Sequence, residues 1–304
     1  MSKAIVAIDK SKSYRVYLTI TTELVQRAAE IHGATPLGAA GLGRVLTGAG
    51  LMGIMLKDPE DKLTVSFKGD GPAKQILATA FGNGVVKGYI ANPYVDLPLK
   101  KSGKLDVGGS LGVGDLTVIK DLGLKEPYIG TIALVTGEIA DDLTAYFFIS
   151  EQQNTSVALG VKVERDLSIG AAGGMIIQML PNAEEGAVDA LEELVAGMEP
   201  LTAVIDRVKK HSAGRTEAGM VQALLEEIFR NLPEGYRPQA LEERDICWRC
   251  DCSRKRLEQA LMTIGVEEMT RIIEEDGQAE LQCHFCLKKY QFNKEELLEI
   301  LAGM

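Results

Sequence analysis

The sequence predicts a mixed fold: an α/β (α+β) N-terminal domain, a helical linker and a small C-terminal domain organised by cysteines. Strand-like and helix-like segments interleave over the first 181 residues, apolar residues then recur at helical spacing, and all five cysteines lie between 247 and 286. We therefore place the α/β core domain at 1–181, the helical linker and connector at 182–240, and the C-terminal domain at 241–304.

Composition restricts the class of protein. Of the 304 residues 46% are hydrophobic, which is enough for a well-buried core, and the core is expected to be aliphatic because aromatic residues make up only 5%. The net charge of −10 disfavours nucleic acid and membrane surfaces as partners. The start of the chain lacks the long apolar run of a signal peptide, so we expect a cytoplasmic protein.

The first elements follow from alternation and capping. Residues 3–19 alternate around a turn at 10–12, which predicts two strands, and Thr21 can cap a helix that ends at His32. Residues 36–56 are almost uncharged and about long enough to cross a bilayer. Because Arg44 lies in the middle of this stretch and six glycines favour close backbone packing, we predict a buried helix or helix pair instead.

The rest of the core domain repeats this style. Residues 62–68 alternate as a strand, 69–72 form a turn, 73–81 carry helix formers with apolar spacing, and 85–90 form a strand. The segments predicted after that are strands at 116–119 and 131–135, a helix at 138–148, and strands at 157–163 and 174–180.

The linker has a helical pattern. The apolar residues that recur at helical spacing are Val188, Leu191, Leu194, Val195, Met198, Leu201, Val204, Ile205, Val208, Met220, Leu224, Leu225, Ile228 and Phe229. Their apolar faces must dock somewhere, most simply against the core domain. Residues 231–235, with a proline and a glycine, end the pattern.

The cysteines form two short pairs, Cys250-Asp251-Cys252 and Cys283-His284-Phe285-Cys286, with thirty residues between them. An odd number of cysteines in a cytosolic context favours a metal site over disulfides. Two such pairs can surround one Zn²⁺ ion tetrahedrally, and strand-like segments at 279–282 and 290–292 suggest a zinc-knuckle hairpin. An iron–sulfur cluster is the less favoured alternative.

Two further residues compete for this site. Cys247 forms a CxxC with Cys250, and that pair could join Cys283 and Cys286 as an ordinary zinc ribbon. His284 is a sixth candidate ligand, although a residue between two ligands in a knuckle usually points away from the metal. Spacing alone leaves the choice among the five thiols open.

The C-terminal domain is too small to be stable without help. A core of this size rarely supplies more than about 3–5 kcal/mol, whereas structural zinc contributes about 10–16 kcal/mol in small peptides. Loss of the ion should therefore unfold residues 241–304. Each short pair of thiols can also close into a disulfide that no longer binds metal, so the site is either a structural staple or a redox switch.

The pattern of these motifs resembles the heat shock protein 33 family of redox-regulated holdase chaperones. The resemblance rests on the CxC and CxxC pairs with Tyr290 and Phe292, and on the further segments KGDGP (68–72), KGY (87–89), EPYIG (126–130), GEIADDL (137–143), SEQ (150–152) and GG (173–174). It covers essentially the whole chain. Cys247 departs from the pattern, because it is not one of the four cysteines that match the family's ligands.

The resemblance implies an ATP-independent chaperone and not an enzyme. It implies that Cys250, Cys252, Cys283 and Cys286 hold one Zn²⁺ per chain in an inactive, reduced form. Oxidation would form the disulfides Cys250–Cys252 and Cys283–Cys286, release zinc and unfold the zinc domain and linker. The apolar surface exposed in this way would bind unfolding client proteins under oxidative stress, and active members of the family are commonly homodimers.

Two rival functions are weaker. A zinc-ribbon nucleic-acid-binding protein should have a basic domain, but residues 241–304 contain nine Lys or Arg and fourteen Asp or Glu. A thiol–disulfide oxidoreductase needs its CxxC at the start of a helix in a βαβ fold, and one pair usually suffices.

Other conspicuous residues have ordinary explanations. Residues 69–71 are a turn without a phosphate-loop signature. Glu138, Asp141 and Asp142 lie near a helix start, where carboxylates interact with the helix dipole, and residues 254–256 form a charged helix face. Trp248 is expected to pack over the zinc site or to contact clients after unfolding.

Overall fold

A computed structural model describes residues 1–212 and 214–304, and within them the chain forms two compact units, Met1–Arg249 and Cys250–Met304. Strands and helices interleave in both units, which confirms the mixed α/β class.

The first unit contains a long mixed sheet. In the part of the chain that the structure describes, its strands are β1 (Ser2–Asp9), β2 (Tyr14–Ile20), β3 (Lys62–Gly69), β4 (Gln75–Phe81), β5 (Val85–Ile90), β6 (Gly114–Asp121), β7 (Tyr128–Ala133), β8 (Thr155–Val163), β9 (Ile169–Met179) and β10 (Pro238–Trp248). Their order is β7-β6-β3-β4-β5-β10-β1-β2-β9-β8. Neighbouring strands are antiparallel except β5 and β10, which are parallel over two residue pairs.

Helices cover this sheet. They are α1 (Thr22–His32), α2 (Pro36–Ile54), α3 (Val107–Leu111), α4 (Ala140–Ser150), α5 (Glu185–Ala196), α6 (Leu201–His211) and α7 (Glu217–Phe229), with a 3₁₀ turn at Glu234–Tyr236 before β10.

The first hairpin forms as predicted. Its turn is held by the buried carboxylate of Asp9, which accepts hydrogen bonds from the backbone N–H groups of Ser13 (2.8 Å) and Tyr14 (2.9 Å). Thr21 precedes α1, but its hydroxyl lies 2.7 Å from the hydroxyl of Thr47 in α2 and does not cap the helix.

Helix α2 is the predicted uncharged stretch and forms one continuous helix. Among the described residues it is the one helix long and apolar enough to cross a membrane, by length and composition, and 94% of that window is buried inside the unit. Its glycines allow close approach, since a Cβ at Gly53 would lie 2.9 Å from the Cβ of Ala80. The buried-helix prediction is thereby confirmed. Arg44 forms an ion pair with Glu138 (2.7 Å), which explains a charge in this helix.

The helix predicted at 73–81 is wrong, because Gln75–Phe81 forms strand β4. This strand pairs with β3 from Lys62↔Phe81 to Lys68↔Gln75, and also with β5. Every second residue, Ile76, Ala78 and Ala80, is buried, so the period is two. Hydrogen bonding on both sides overrides the helix propensity of the alanines and leucine.

Helices α5, α6 and α7 pack on one face of the sheet. Leu224 of α7 and Ile205 of α6 are fully buried in a cluster that also holds Val16 and Leu18 of β2. The predicted linker therefore forms a helical layer over the strands β1, β2 and β9.

The second unit is small. Its elements are α8 (Arg254–Met262), α9 (Val266–Glu275), β11 (Gln278–Gln282), β12 (Lys289–Asn293) and α10 (Lys294–Ala302), with β11 and β12 forming a hairpin. Its hydrophobic core cluster consists of Leu261, Met269, Ile273, Tyr290, Phe292, Leu297 and Ile300. The hairpin lies where strand-like segments flank the second cysteine pair, as predicted.

The division of the structure differs from the predicted boundaries. Residues 238–248 form β10, which pairs along β1 from Ser2↔Ile246 to Asp9↔Pro238. The compact second unit thus begins at Cys250 and not at 241. Residues 239–243 of β10 are exposed and mostly polar, which is why the sequence pattern predicted a connector here and not a strand. The division into core, linker and sensing domain by role stays a prediction.

Candidate metal centre

Two short loops of the second unit supply the four thiols. Cys250 and Cys252 lie immediately before α8, whose N-cap residue Ser253 accepts a hydrogen bond from the Arg256 N–H. Cys283 and Cys286 lie in the turn between β11 and β12. That turn is closed by a hydrogen bond from the Cys283 N–H to Lys288 O (3.0 Å), and Leu287 has a positive φ of 57°.

The sulfurs of these four residues lie within 4.8 Å of one another. Cys250 Sγ is 3.6 Å from Cys283 Sγ, and Cys252 Sγ is 3.4 Å from Cys286 Sγ. A tetrahedral Zn²⁺ with four sulfurs at about 2.3 Å requires sulfur–sulfur distances of about 3.8 Å. All five cysteines are free thiols. The donor set and its spacing therefore fit one tetrahedral, thiophilic ion.

Tyr290 supports the first pair. Its hydroxyl lies 3.3 Å from Cys252 Sγ and 3.3 Å from Cys252 O. Burial would raise the pKa of the Cys252 thiol, but hydrogen bonds from Tyr290 and the neighbouring thiols lower it. The same contact with Cys252, together with burial, raises the pKa of Tyr290 to about 12, so the tyrosine stays a hydrogen-bond donor at neutral pH.

Two of the other thiols have pKa values that are raised and not lowered. Burial raises the pKa of Cys250 and, to a smaller extent, that of Cys286. A metal ion reverses this preference, because coordination deprotonates a thiol outright. An ion bound here would therefore stabilise the thiolate form of the cysteines that hold it.

Cys247 and His284 lie outside this group of four. Cys247 belongs to β10 of the first unit, where its N–H donates to Gly84 O (3.0 Å) and it pairs with Val85. His284 is exposed in the β11–β12 turn. The grouping agrees with Cys250, Cys252, Cys283 and Cys286 as the ligand set, which stays a prediction.

The charged run at 254–256 belongs to the surface. Arg254 pairs with Glu296 (2.6 Å) and lies 4.3 Å over the Phe292 ring, and Arg256 pairs with Asp251. Trp248 lies at the end of β10 in the first unit, with the Arg27 guanidinium 5.0 Å from its ring, and its predicted role over the zinc site or as a client contact stays a prediction.

The acidic residues near α4 are structural. The Asp142 carboxylate is fully buried and accepts hydrogen bonds from the N–H groups of Val135 (2.7 Å), Thr136 (3.1 Å) and Ile139 (3.1 Å). It holds the turn before α4, in which Ile139 has a φ of 66°.

Sequence reasoning missed the contact between Tyr290 and Cys252. The available signal was the position of a tyrosine four residues after Cys286.

Comparison with known proteins assigns the family. The family model described as Hsp33 protein matches residues 2–293. The chain belongs to the Hsp33 family. A curated Hsp33 relative, the 33 kDa chaperonin of Alkaliphilus oremlandii, is 48% identical over 288 residues, which are 94% of this chain and 92% of the relative.

Other Hsp33 proteins agree over the full length. The 33 kDa chaperonin of Clostridium tetani is 44% identical, with 99% of this chain and 98% of the relative covered. The crystal structure of the 33 kDa chaperonin of Thermotoga maritima has a TM-score of 0.85 at 31% identity and covers 99% of this chain and 98% of that one. Membership in a family of chaperonins supports a chaperone role.

Proposed function

We propose that this Hsp33 protein is a redox-regulated, ATP-independent holdase that prevents aggregation of unfolding proteins under oxidative stress. In the reduced form one Zn²⁺ would be held by Cys250, Cys252, Cys283 and Cys286. The observation that carries the proposal is the convergence of these four thiols within 4.8 Å in a unit whose buried hydrophobic cluster has seven residues.

The small core makes the second unit dependent on its metal. Seven residues form its buried cluster, and Cys252 packs against them, so one of the four thiols contacts the core that the metal would stabilise. Structural zinc contributes more folding free energy than such a core supplies by itself. Removal of the ion is therefore expected to unfold residues 250–304.

Oxidation of the four thiolates would release the zinc ion. A two-electron oxidant such as peroxide takes two electrons from each pair of thiolates, and the bonds Cys250–Cys252 and Cys283–Cys286 form as zinc leaves. The close sulfur contacts run between the two motifs, from Cys250 to Cys283 and from Cys252 to Cys286, as a shared ion requires. Each disulfide would instead join the two cysteines of one motif, which are near in sequence, so both motifs would lose their metal ligands as the bonds form.

The first unit supplies apolar surface for clients. Helices α5–α7 pack on β1, β2 and β9 through a large hydrophobic cluster, which includes Leu191, Ile205 and Leu224. Separation of this layer would expose both the helix faces and the sheet. Apolar patches of this kind bind other proteins without sequence specificity. Unfolding client proteins are thus the proposed partners, with a homodimer as the active form.

The remaining features agree with this function. The net charge of −10 argues against nucleic acid or an anionic membrane as a partner, and free thiols suit the reducing cytoplasm. Nothing in the proposal requires the protein to be an enzyme.

One experiment tests the proposal directly. Purified, zinc-loaded protein is treated with peroxide or hypochlorite, and zinc release, thiol loss and suppression of a client's thermal aggregation are measured together. We expect one equivalent of zinc to be released per chain as suppression appears, and reduction with zinc to reverse both. Zinc release without a gain in suppression would contradict the holdase function.

A further inference from the structure

A second polar site lies in the first unit, beyond the C-terminal end of α2. It is a cavity of about 240 Å³ lined by Arg15, Tyr17, Gln178, Met52, Met55, Leu56, Lys120, Phe147 and Glu151. The redox function proposed above makes no use of any of these side chains.

Three polar side chains converge there because of strand register. Arg15 in β2 lies directly opposite Gln178 in β9, and Tyr17 follows two residues later on the same face. The alternate residues Tyr14 and Val16 face the opposite side, where α6 and α7 pack. The alternation of the two strands thus places a guanidinium, a phenol and an amide around one cavity.

Arg15 is incompletely bonded. Its Nη1 donates to the Tyr17 hydroxyl (3.3 Å), while its Nε is buried without a hydrogen-bond partner. Among the described residues no carboxylate forms an ion pair with Arg15, whereas Lys120 in the same cavity is paired with Glu151. Buried donors of this kind are usually satisfied by protein, water or a bound ion.

The carbonyl groups at the end of α2 do not accept hydrogen bonds from these donors. A cation is favoured near the last turn of a helix, where carbonyl groups lack partners. However, the final turn is closed by the N–H groups of Met55 (3.3 Å to Met52 O) and Leu56 (3.0 Å to Gly53 O), and Arg15 hydrogen bonds to none of its carbonyls. The guanidinium is available to a ligand.

We propose that Arg15, Tyr17 and Gln178 bind the carboxylate of a small organic acid. A guanidinium binds a carboxylate through two parallel hydrogen bonds, and the hydroxyl and amide can donate to the same group. The lining contains two cationic side chains, Arg15 and Lys120, and one carboxylate, Glu151, so its net charge is +1. The methionines, Leu56 and Phe147 would contact the carbon chain of the acid. That chain must be short, because the cavity is smaller than the pockets of about 300–1,000 Å³ that hold larger ligands.

Titration calorimetry and thermal unfolding of the reduced, zinc-loaded full-length protein test this site. The probes are sodium acetate, propionate and succinate, with sodium phosphate and sodium chloride at matched ionic strength. We expect saturable binding of at least one carboxylate and a rise in the melting temperature of the first unit, since a ligand of the native state stabilises it. Phosphate binding as tightly as every carboxylate would overturn the assignment, as would the absence of saturable binding by all three acids.

Substitutions of the cavity residues test whether the carboxylate binds in this cavity. Arg15→Gln should weaken carboxylate binding at least about tenfold, because a charge-assisted pair is lost, and Tyr17→Phe should weaken it less. Arg165→Gln, at an exposed position in the turn between β8 and β9, should leave binding unchanged. Unchanged affinity in Arg15→Gln contradicts the proposal. If that variant does not fold, unchanged affinity in Tyr17→Phe and in Gln178→Leu contradicts it instead.

Discussion

The Tyr290 hydroxyl lies 3.3 Å from the sulfur of Cys252, and this contact joins the second hairpin strand to the first cysteine pair. Partners that hydrogen bond to metal ligands fix the orientation of those ligands, and their loss costs about 10–100-fold in metal affinity.

We therefore expect Tyr290→Phe to weaken zinc binding by about tenfold or more, while the ring still fills the core. Competition with a chromogenic chelator measures the affinity. Tyr94→Phe is the control, because Tyr94 is 72% exposed in the first unit. Equal affinities for zinc in the two variants would show that the contact with Cys252 is not needed.

The ligand set makes a separate prediction. Serine at any of positions 250, 252, 283 or 286 should abolish tight zinc binding and unfold residues 250–304, since three thiolates and a hydroxyl form a poor site for the ion. Cys247→Ser should retain one zinc per chain. Zinc content and far-ultraviolet circular dichroism measure both effects. Loss of zinc from Cys247→Ser together with its retention in Cys252→Ser would contradict this ligand set. The ligands would then be those of the zinc ribbon, with Cys247 in place of Cys252.

The helical layer of α5–α7 can be loosened without touching a cysteine. Leu224→Ala removes a fully buried side chain between α7 and the sheet and should cost about 2–5 kcal/mol. If separation of this layer exposes the client surface, the reduced variant should suppress client aggregation more than the reduced wild type does. Leu241→Ala, at a residue 62% exposed, is the control. A destabilised Leu224→Ala with unchanged suppression in both redox states would exclude the layer from client binding.

The pair of Arg44 and Glu138 predicts a dependence of stability on pH. Burial alone would raise the pKa of Glu138, but hydrogen bonds from Lys100 and Arg44 hold it below its ordinary value. A carboxyl group with a depressed pKa stabilises the folded state above the unfolded pKa of about 4.3, and this contribution disappears as pH falls through the folded pKa.

Glu138→Gln should accordingly lower the free energy of unfolding at pH 7 by about 1–3 kcal/mol. The difference from wild type should shrink below about pH 4. Urea unfolding followed by the fluorescence of Trp248, the single tryptophan, reports on the first unit. A difference that stays constant between neutral and acid pH would mean that the charge of Glu138 is irrelevant to stability.

Close packing of α2 gives a prediction about backbone spacing. A Cβ at Gly53 would meet Ala80 Cβ at 2.9 Å and Phe81 O at 3.1 Å, so Gly53→Ala should force the helix from the sheet and destabilise the unit by about 1–3 kcal/mol. In α7 the nearest atom to a Cβ at Gly219 is 3.4 Å away, and alanine there should be neutral or stabilising. Chemical denaturation of the two variants provides the comparison.

Elements whose pattern is local could be predicted from the amino-acid sequence alone. The first hairpin, the buried helix α2 and the alternation of β3 follow from the periodicity of their own residues. The two cysteine pairs also carry their meaning locally, because the ligand spacing that a tetrahedral ion requires lies within a few residues of chain.

Elements whose hydrogen-bonding partners are distant in sequence could not be predicted in this way. Gln75–Phe81 became a strand because β3 and β5 bond to it from both sides, and the polar segment at 238–248 joined the large sheet because β1 offered an open edge. The Tyr290 contact with Cys252 and the cavity around Arg15 likewise depend on register and turn geometry. A sequence shows which side chains an element presents, but hydrogen bonding and packing between remote segments fix which of them meet.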